Sequence, residues 1–217
     1  MFTRYGYTTI GIVAIISFLL IVISFFIQSN PIKITVVVIA AVMLLGTLNF
    51  FRDPERKIPK RKGIIVSPAD GKIIITKKNT SNSFVGENCN QISIFMSPLD
   101  VHVNRIPISG KVELLKYFEG KFIAAFEDKA SENNERMEIG LVSEEGKVFF
   151  TQVAGFLARR IVNELKVGDS VHIGNKFGMI KFGSRVDIFV SENWSPVVSL
   201  NDKVTAGETI LFELKNK

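Results

Sequence analysis

The sequence predicts a mainly β fold: a compact barrel- or sandwich-like domain of short strands with one or two helices, preceded by an N-terminal transmembrane helical hairpin. Three observations carry this prediction. Uncharged residues run unbroken from 8 to 27 and again from 34 to 51. Six basic residues, opposed by two acidic ones, follow directly between Arg52 and Lys62. From Gly63 onward, short runs of β-branched and aromatic residues are punctuated by Gly, Pro, Asn and Asp.

The chain is 47% hydrophobic, above the usage of an average soluble domain, and the excess lies at the N-terminus. Each apolar run is long enough to cross a hydrocarbon core of about 30 Å as a helix rising about 1.5 Å per residue. Gln28 to Lys33, with one charge, suits the tight turn of a hairpin. A secretory signal has an apolar region of about 7 to 15 residues, shorter than either run. Residues 1–51 therefore read as a membrane anchor of two spans, or one span plus a re-entrant segment.

Residues 52–62 read as a basic juxtamembrane linker, net +4 of the chain's +6. The positive-inside rule puts this linker and everything downstream on the cytoplasmic side of the cell membrane, and Arg4 agrees. Such a segment also attracts anionic lipid, by about 1 kcal/mol per Lys or Arg near the surface. Nucleic acid is a poor alternative partner, because the cluster lies at membrane depth and the remaining charge is nearly balanced. The single Cys89 excludes an internal disulfide and fits a reducing compartment.

Residues 63–217 make a domain of ordinary size for one core. Strands are expected at Ile64 to Val66, Lys72 to Thr76, Gln91 to Met96, Gly110 to Tyr117, Arg136 to Val142, Lys147 to Val153, Ser170 to Ile173, Gly178 to Phe182, Val186 to Val190 and Thr209 to Glu213. A helix is expected around Phe156 to Leu165, with Ile161 and Leu165 on one face.

The bond Gly183-Ser184 lies between two of these strands. As a turn the dipeptide is ordinary, since Gly supplies unusual backbone angles and Ser hydrogen-bonds locally. It is also a bond whose serine can attack the preceding peptide carbonyl. A serine hydroxyl needs a neighbouring base, and an imidazole works best when a carboxylate holds its other nitrogen. Asp70 in SPADG, His102 in FMSPLDVHVNR and Ser184 in FGMIKFGSRVD supply that minimum set. The other histidine, His172, lacks a polar neighbourhood and reads as surface or core filler. No metal is expected.

These stretches resemble the pyruvoyl-dependent phosphatidylserine decarboxylases, in particular their short membrane-associated branch. The resemblance runs through FFRDPER from Phe50, SPADG, FMSPLDVHVNR with Pro107 and Gly110, the GKF and DKASENNER stretches between Gly120 and Arg136, QVAGFLARRI, and FGMIKFGSRVD. One such string is weak; six in order are strong. The resemblance implies a proenzyme in which Ser184 attacks the Gly183 carbonyl, with His102 as base and Asp70 as its orienting partner. Cleavage between 183 and 184 would then leave a covalent pyruvoyl group at position 184, capping a chain 184–217 that stays paired with chain 1–183. The implied reaction converts phosphatidylserine to phosphatidylethanolamine and carbon dioxide through a Schiff base to that group, with His102 as candidate proton donor.

This chain departs from the pattern at two positions. Longer members carry a second histidine where Arg105 stands, and Met137 replaces an expected Asn. Asp100 and Asn104 are secondary candidates for proton transfer. Arg159, Arg160 and Arg185 are candidates for the phosphate or carboxylate of the head group, since a guanidinium matches both. Phe118, Phe122 and Phe126 are either core or an apolar lip for the acyl chains. The sequence leaves open a homo-oligomer and the choice between diacyl and ether lipid.

Two other classes compete. Val167 to Ile180 together with SPADGKII resembles the turns of barrel-sandwich carrier domains, with Lys181 near a hairpin tip, and a non-catalytic membrane adaptor needs none of the three residues. Denaturing electrophoresis separates them. The enzyme reading expects fragments 1–183 and 184–217, whereas a carrier or adaptor stays at 24.2 kDa.

Overall fold

The computed structural model describes residues 1–120, 134–155, 160–181 and 183–215. The chain forms two compact units, Met1–Glu55 and Arg56–Lys217.

In the first unit a 3-10 turn, Arg4–Gly6, leads into α1 (Tyr7–Ser24), and α2 (Asn30–Phe50) completes a helical hairpin. Pro31 falls in the first turn of α2, where its missing N–H leaves no helical bond unmade. The hydroxyls of Ser24, Thr35 and Thr47 donate to carbonyls three or four residues back, satisfying polar groups within an apolar helix. Small residues are buried (Ser17, Ser24 and Ala40) while Ile15, Phe18, Val42 and Leu45 face outward, the reverse of a soluble helix pair. Both helices have the length and hydropathy to cross a membrane. The ends of the hairpin are joined by main-chain bonds from Thr3 N–H to Phe51 O and from Asp53 N–H to Met1 O.

The second unit is all β among the described residues. Its strands are β1 (Ile64–Val66), β2 (Gly71–Asn82), β3 (Gly86–Met96), β4 (Val103–Arg105), β5 (Gly110–Phe118), β6 (Arg136–Ser143) and β7 (Gly146–Ala154), then β8 (Ile161–Asn163), β9 (Ser170–Val171), β10 (Lys176–Ile180), β11 (Ser184–Ser191), β12 (Trp194–Pro196), β13 (Lys203–Val204) and β14 (Ile210–Leu214). An eight-stranded sheet has the order β13-β2-β3-β11-β7-β6-β5-β9. Two three-stranded sheets, β4-β10-β8 and β1-β14-β12, accompany it, and every pairing in the three is antiparallel.

Alternation places Ile94, Ile139, Phe150, Val186 and Ile188 of the large sheet in a core with Ile65, Ile106, Phe177 and Phe212. Phe150 and Phe177 meet edge to face, with centroids 5.4 Å apart. On the opposite face of β11, Arg185 and Asp187 form an ion pair of 2.6 Å with each side chain 2% exposed.

Some elements differ from those read in the sequence. The helix expected over Phe156 to Leu165 gives way, at Ile161–Asn163, to β8, which pairs with Gly178 to Ile180; residues 156–159 lie outside the described set. Two β-branched residues and an Asn whose side chain accepts the Leu165 N–H favour extended chain there. The strand expected at Lys72 to Thr76 extends to Asn82 and forms a hairpin with β3, whose tip is held by Asn82 Oδ1 accepting from Phe84 and Val85 N–H. The strand expected at Ser170 to Ile173 ends at Val171, because Asn175 N–H folds back to His172 O. The short strands β4, β8, β12 and β13 carry too few residues for alternation to declare them.

At Gly71 the chain passes so close to β3 that a Cβ would overlap the Phe95 carbonyl oxygen. Gly71→Ala, made on Ser184→Ala so that the chain stays whole, is expected to cost about 1–3 kcal/mol through overpacking. The check is a thermal melt, in which Tm falls by about 3–10 °C.

Candidate active site

Ser184 opens β11, paired on one side with Met96 of β3 and on the other with Ala154 of β7. Gly183 just before it has φ +63, a conformation that glycine adopts without a Cβ penalty. The hydroxyl of Ser184 is fully buried and donates to the Met96 sulfur at 3.2 Å. The Gly183 carbonyl, the one such a serine would attack, accepts the Gly155 N–H at 3.1 Å. Gly155 follows directly on Ala154, which is fixed by Ala154 N–H to Glu135 O at 2.9 Å and by Asn134 Nδ2 to Ala154 O at 2.7 Å. A rigid main-chain donor thus points at the oxygen where charge would develop.

His102 immediately precedes β4, is fully buried, and its carbonyl accepts the Ile180 N–H of β10 at 3.4 Å. Its Nδ1 lies 2.9 Å from Asp100 O. A carbonyl can only accept, so Nδ1 carries the hydrogen, and whenever the ring is neutral the lone pair is on Nε2. The Asp100 carbonyl is set by a closed turn, with Ser97 N–H donating to Asp100 Oδ2 at 2.8 Å and Asp100 N–H to Ser97 O at 2.9 Å.

Asp70 lies in the turn that opens β2. Its Oδ2 meets Arg56 Nη2 at 2.7 Å and its Oδ1 accepts the Ala206 N–H at 2.8 Å. The Asp100 main-chain oxygen is thus an acceptor for the His102 ring, and the Asp70 carboxylate accepts from Arg56 and Ala206. Burial pushes the Asp70 carboxyl above the usual carboxylate range, opposed by the Ala206 N–H and the Arg56 charge and reinforced by nearby Asp100. The elements carrying Asp70, His102 and Ser184 meet: Asn104 Nδ2 and Arg105 N–H of β4 both donate to Pro68 O, and Asn104 also reaches the Met96 sulfur that holds Ser184.

A buried amide relay escaped sequence reasoning. Asn163 Nδ2 donates to Gln152 Oε1 at 3.2 Å, and Gln152 Nε2 donates to Asn104 Oδ1 at 2.9 Å. The available signal was parity: Gln152 takes the core-facing turn of alternation between Phe150 and Ala154. Arg105, at the position of the second histidine of longer members, turns to Gly174 O at 2.9 Å.

The three candidate arginines separate. Arg185 is committed to Asp187 and, through Nη2, to Ser93 Oγ at 3.2 Å, buried within the sheet. Arg160 is exposed, and its carbonyl accepts the Lys181 N–H at 3.2 Å. Partial burial and the charge of Arg160 push the Lys181 amine below its ordinary range. Arg159, Phe122 and Phe126 lie outside the described residues; the Phe118 ring lies beneath the Arg136 guanidinium at 3.9 Å. His172 is exposed.

A buried hydroxyl beside a peptide carbonyl already held by a main-chain donor is the arrangement a chain needs to cut itself. The comparisons with known proteins are specific about the kind. Residues 45–212 match the phosphatidylserine decarboxylase family. The chain is 49% identical to a phosphatidylserine decarboxylase proenzyme of Chlorobium phaeovibrioides, over 99% of this chain and 97% of that one. It is 47% identical to that of Pelodictyon phaeoclathratiforme, over 97% and 99%, and 45% identical to that of Prosthecochloris aestuarii, over 100% and 99%. This chain belongs to the phosphatidylserine decarboxylase family.

The amide relay has a measurable weight. Gln152→Ala leaves the buried Asn104 Oδ1 without its donor, while the half-buried Asn163 can turn to water, and is expected to cost about 1–3 kcal/mol. The cost is read in a thermal melt of the Ser184→Ala chain.

Proposed function

We propose that this chain is a phosphatidylserine decarboxylase proenzyme that makes its pyruvoyl group from Ser184, with the hydrogen bond from Gly155 N–H to the Gly183 carbonyl as the observation that carries the reading. Rotation of the Ser184 side chain away from Met96 brings Oγ onto the Gly183 carbonyl carbon. His102 takes the hydroxyl proton at Nε2, and Gly155 N–H stabilises the oxygen that becomes negative. The bond from Gly183 carbon to Ser184 nitrogen then breaks, and the proton passes from His102 to the released amine. The resulting ester loses the Ser184 Cα proton and breaks its Cβ–O bond, freeing the Gly183 carboxylate and leaving dehydroalanine. Water hydrolyses its imine tautomer with loss of ammonia, and the pyruvoyl group remains at 184.

Asp70 supplies negative charge near the loop of His102 and supports the imidazolium formed in the first step. When present, the pyruvoyl group provides the electron sink for loss of carbon dioxide from phosphatidylserine, giving phosphatidylethanolamine. His102 moves the proton in that phase as well. Its fit to the chain is local: the pairing of β11 with β3 and β7 from Arg185 onward does not involve the bond that would break.

Head-group binding falls to Arg160, with Arg159 beside it in sequence and Lys181 added by the structure, while Arg185 holds the sheet together. The helical hairpin anchors the enzyme in the membrane of its substrate, and the charge of the 52–62 segment favours a cytoplasmic β unit. A carrier would present Lys181 at an open tip, whereas its main chain is bonded to Arg160 at the end of β10.

Ser184→Ala is expected to abolish cleavage and decarboxylation together, and His102→Ala to abolish processing, both read by electrophoresis and by carbon dioxide release from phosphatidylserine vesicles. Arg160→Ala is expected to leave processing intact and to raise KM by about tenfold, the loss of one charge-assisted contact. Steady-state kinetics on the same vesicles checks it.

A further inference from the structure

Arg56, read from the sequence as one charge of a basic linker, is drawn into the β unit. Its side chain is 10% exposed, with Nη2 on Asp70 at 2.7 Å and Nη1 3.8 Å from Glu208 Oε2. The adjacent Lys57 N–H donates to Glu208 Oε1 at 2.6 Å, so the main chain is pinned as well as the side chain. Ala206, two residues before Glu208, supplies the second donor to Asp70. Asp70 is thus held from two sides, by the segment before β1 and by the turn between β13 and β14. Arg61, by contrast, pairs with Glu213 with 58% of its side chain exposed, where an ion pair contributes little.

We infer that Arg56 is a positioning residue for self-cleavage, holding the Asp70 side chain in place beside the loop that carries His102. This rests on the self-cleavage reading above. Burial and Asp100 both favour a protonated Asp70, and Arg56 with the Ala206 N–H opposes them. Among the described residues, the charged and titratable groups around Asp70 are Arg56, Glu208 behind it, Asp100 and, where β4 meets the same turn, His102 and Arg105, whose Nη1 is held by Gly174 O. Cleavage needs a neutral His102 and an ionised Asp70, so its rate falls as pH drops. Removing the cation raises the affinity of both groups for protons, so the acid limb of the profile can move only upward. An arginine with a merely structural role would slow cleavage without moving that limb.

The test measures self-cleavage of the full-length chain in detergent against pH, by denaturing electrophoresis. Arg56→Met is expected to shift the acid limb up by about one pH unit, while Arg56→Lys, which keeps the charge, restores most of its position. Arg61→Met removes the same charge elsewhere and leaves the profile unmoved. Arg56→Gln stands in if the Met variant does not fold, as judged by its thermal melt. An unshifted limb in whichever neutral variant folds overturns the inference, however slow the variant. Asp70→Asn distinguishes the two levels: undiminished cleavage there faults the role given to Asp70, whereas its loss beside an unshifted Arg56 variant faults Arg56 alone.

Discussion

The constraint on which the rest of the structure depends is that β11 is hydrogen-bonded on both edges from its first residue. Ser184 pairs with Met96 and Ala154, and the same two neighbours continue along the strand to Val190. The main chain on the C-terminal side of the Gly183-Ser184 bond is therefore immobile, and the turn at Gly183 must bring the chain into line within one residue. A central strand is an unusual place for the cleavage proposed above. It is also a place where breaking the bond would leave the strand pairing from Arg185 onward untouched. The segment 184–217 remains tied by β11 to β3 and β7, by β13 to β2 and by β14 to β1.

Register on that strand is fixed by chemistry of opposite kinds on its two faces. Val186, Ile188 and Val190 enter the core, while Arg185 and Asp187 pair on the other side. A slip of one residue would drive both charges into the core and turn Ser184 away from Met96. The ion pair is nearly fully desolvated, so loss of one partner alone costs about 3–5 kcal/mol. Arg185 thus acts on position 184 through the strand it shares with it.

Much of this was legible in the sequence, for identifiable reasons. The apolar helices declare themselves by length, and the long strands by alternation. Ser184 and His102 stood out as candidates because each lies in one of the matching strings, and the chain holds only two histidines. What was not legible is what tertiary contact decides. Asp70 is bonded to a residue fourteen positions earlier and to another 136 positions later, and nothing local announces either. Asn104, Gln152 and Asn163 form one relay from three strands. Ile161–Asn163 satisfies helical spacing yet is a strand because Gly178 lets Val162 O approach its backbone so closely that a Cβ there would collide.

The central claim is that position 184 is a serine only in the newly made chain. Intact and tandem mass spectrometry of the purified, full-length protein tests it most directly. The account predicts a C-terminal fragment 184–217 whose first residue has the mass of a pyruvoyl group and resists Edman degradation. A chain that remains whole at 24.2 kDa, or a fragment that begins with free serine, would contradict it.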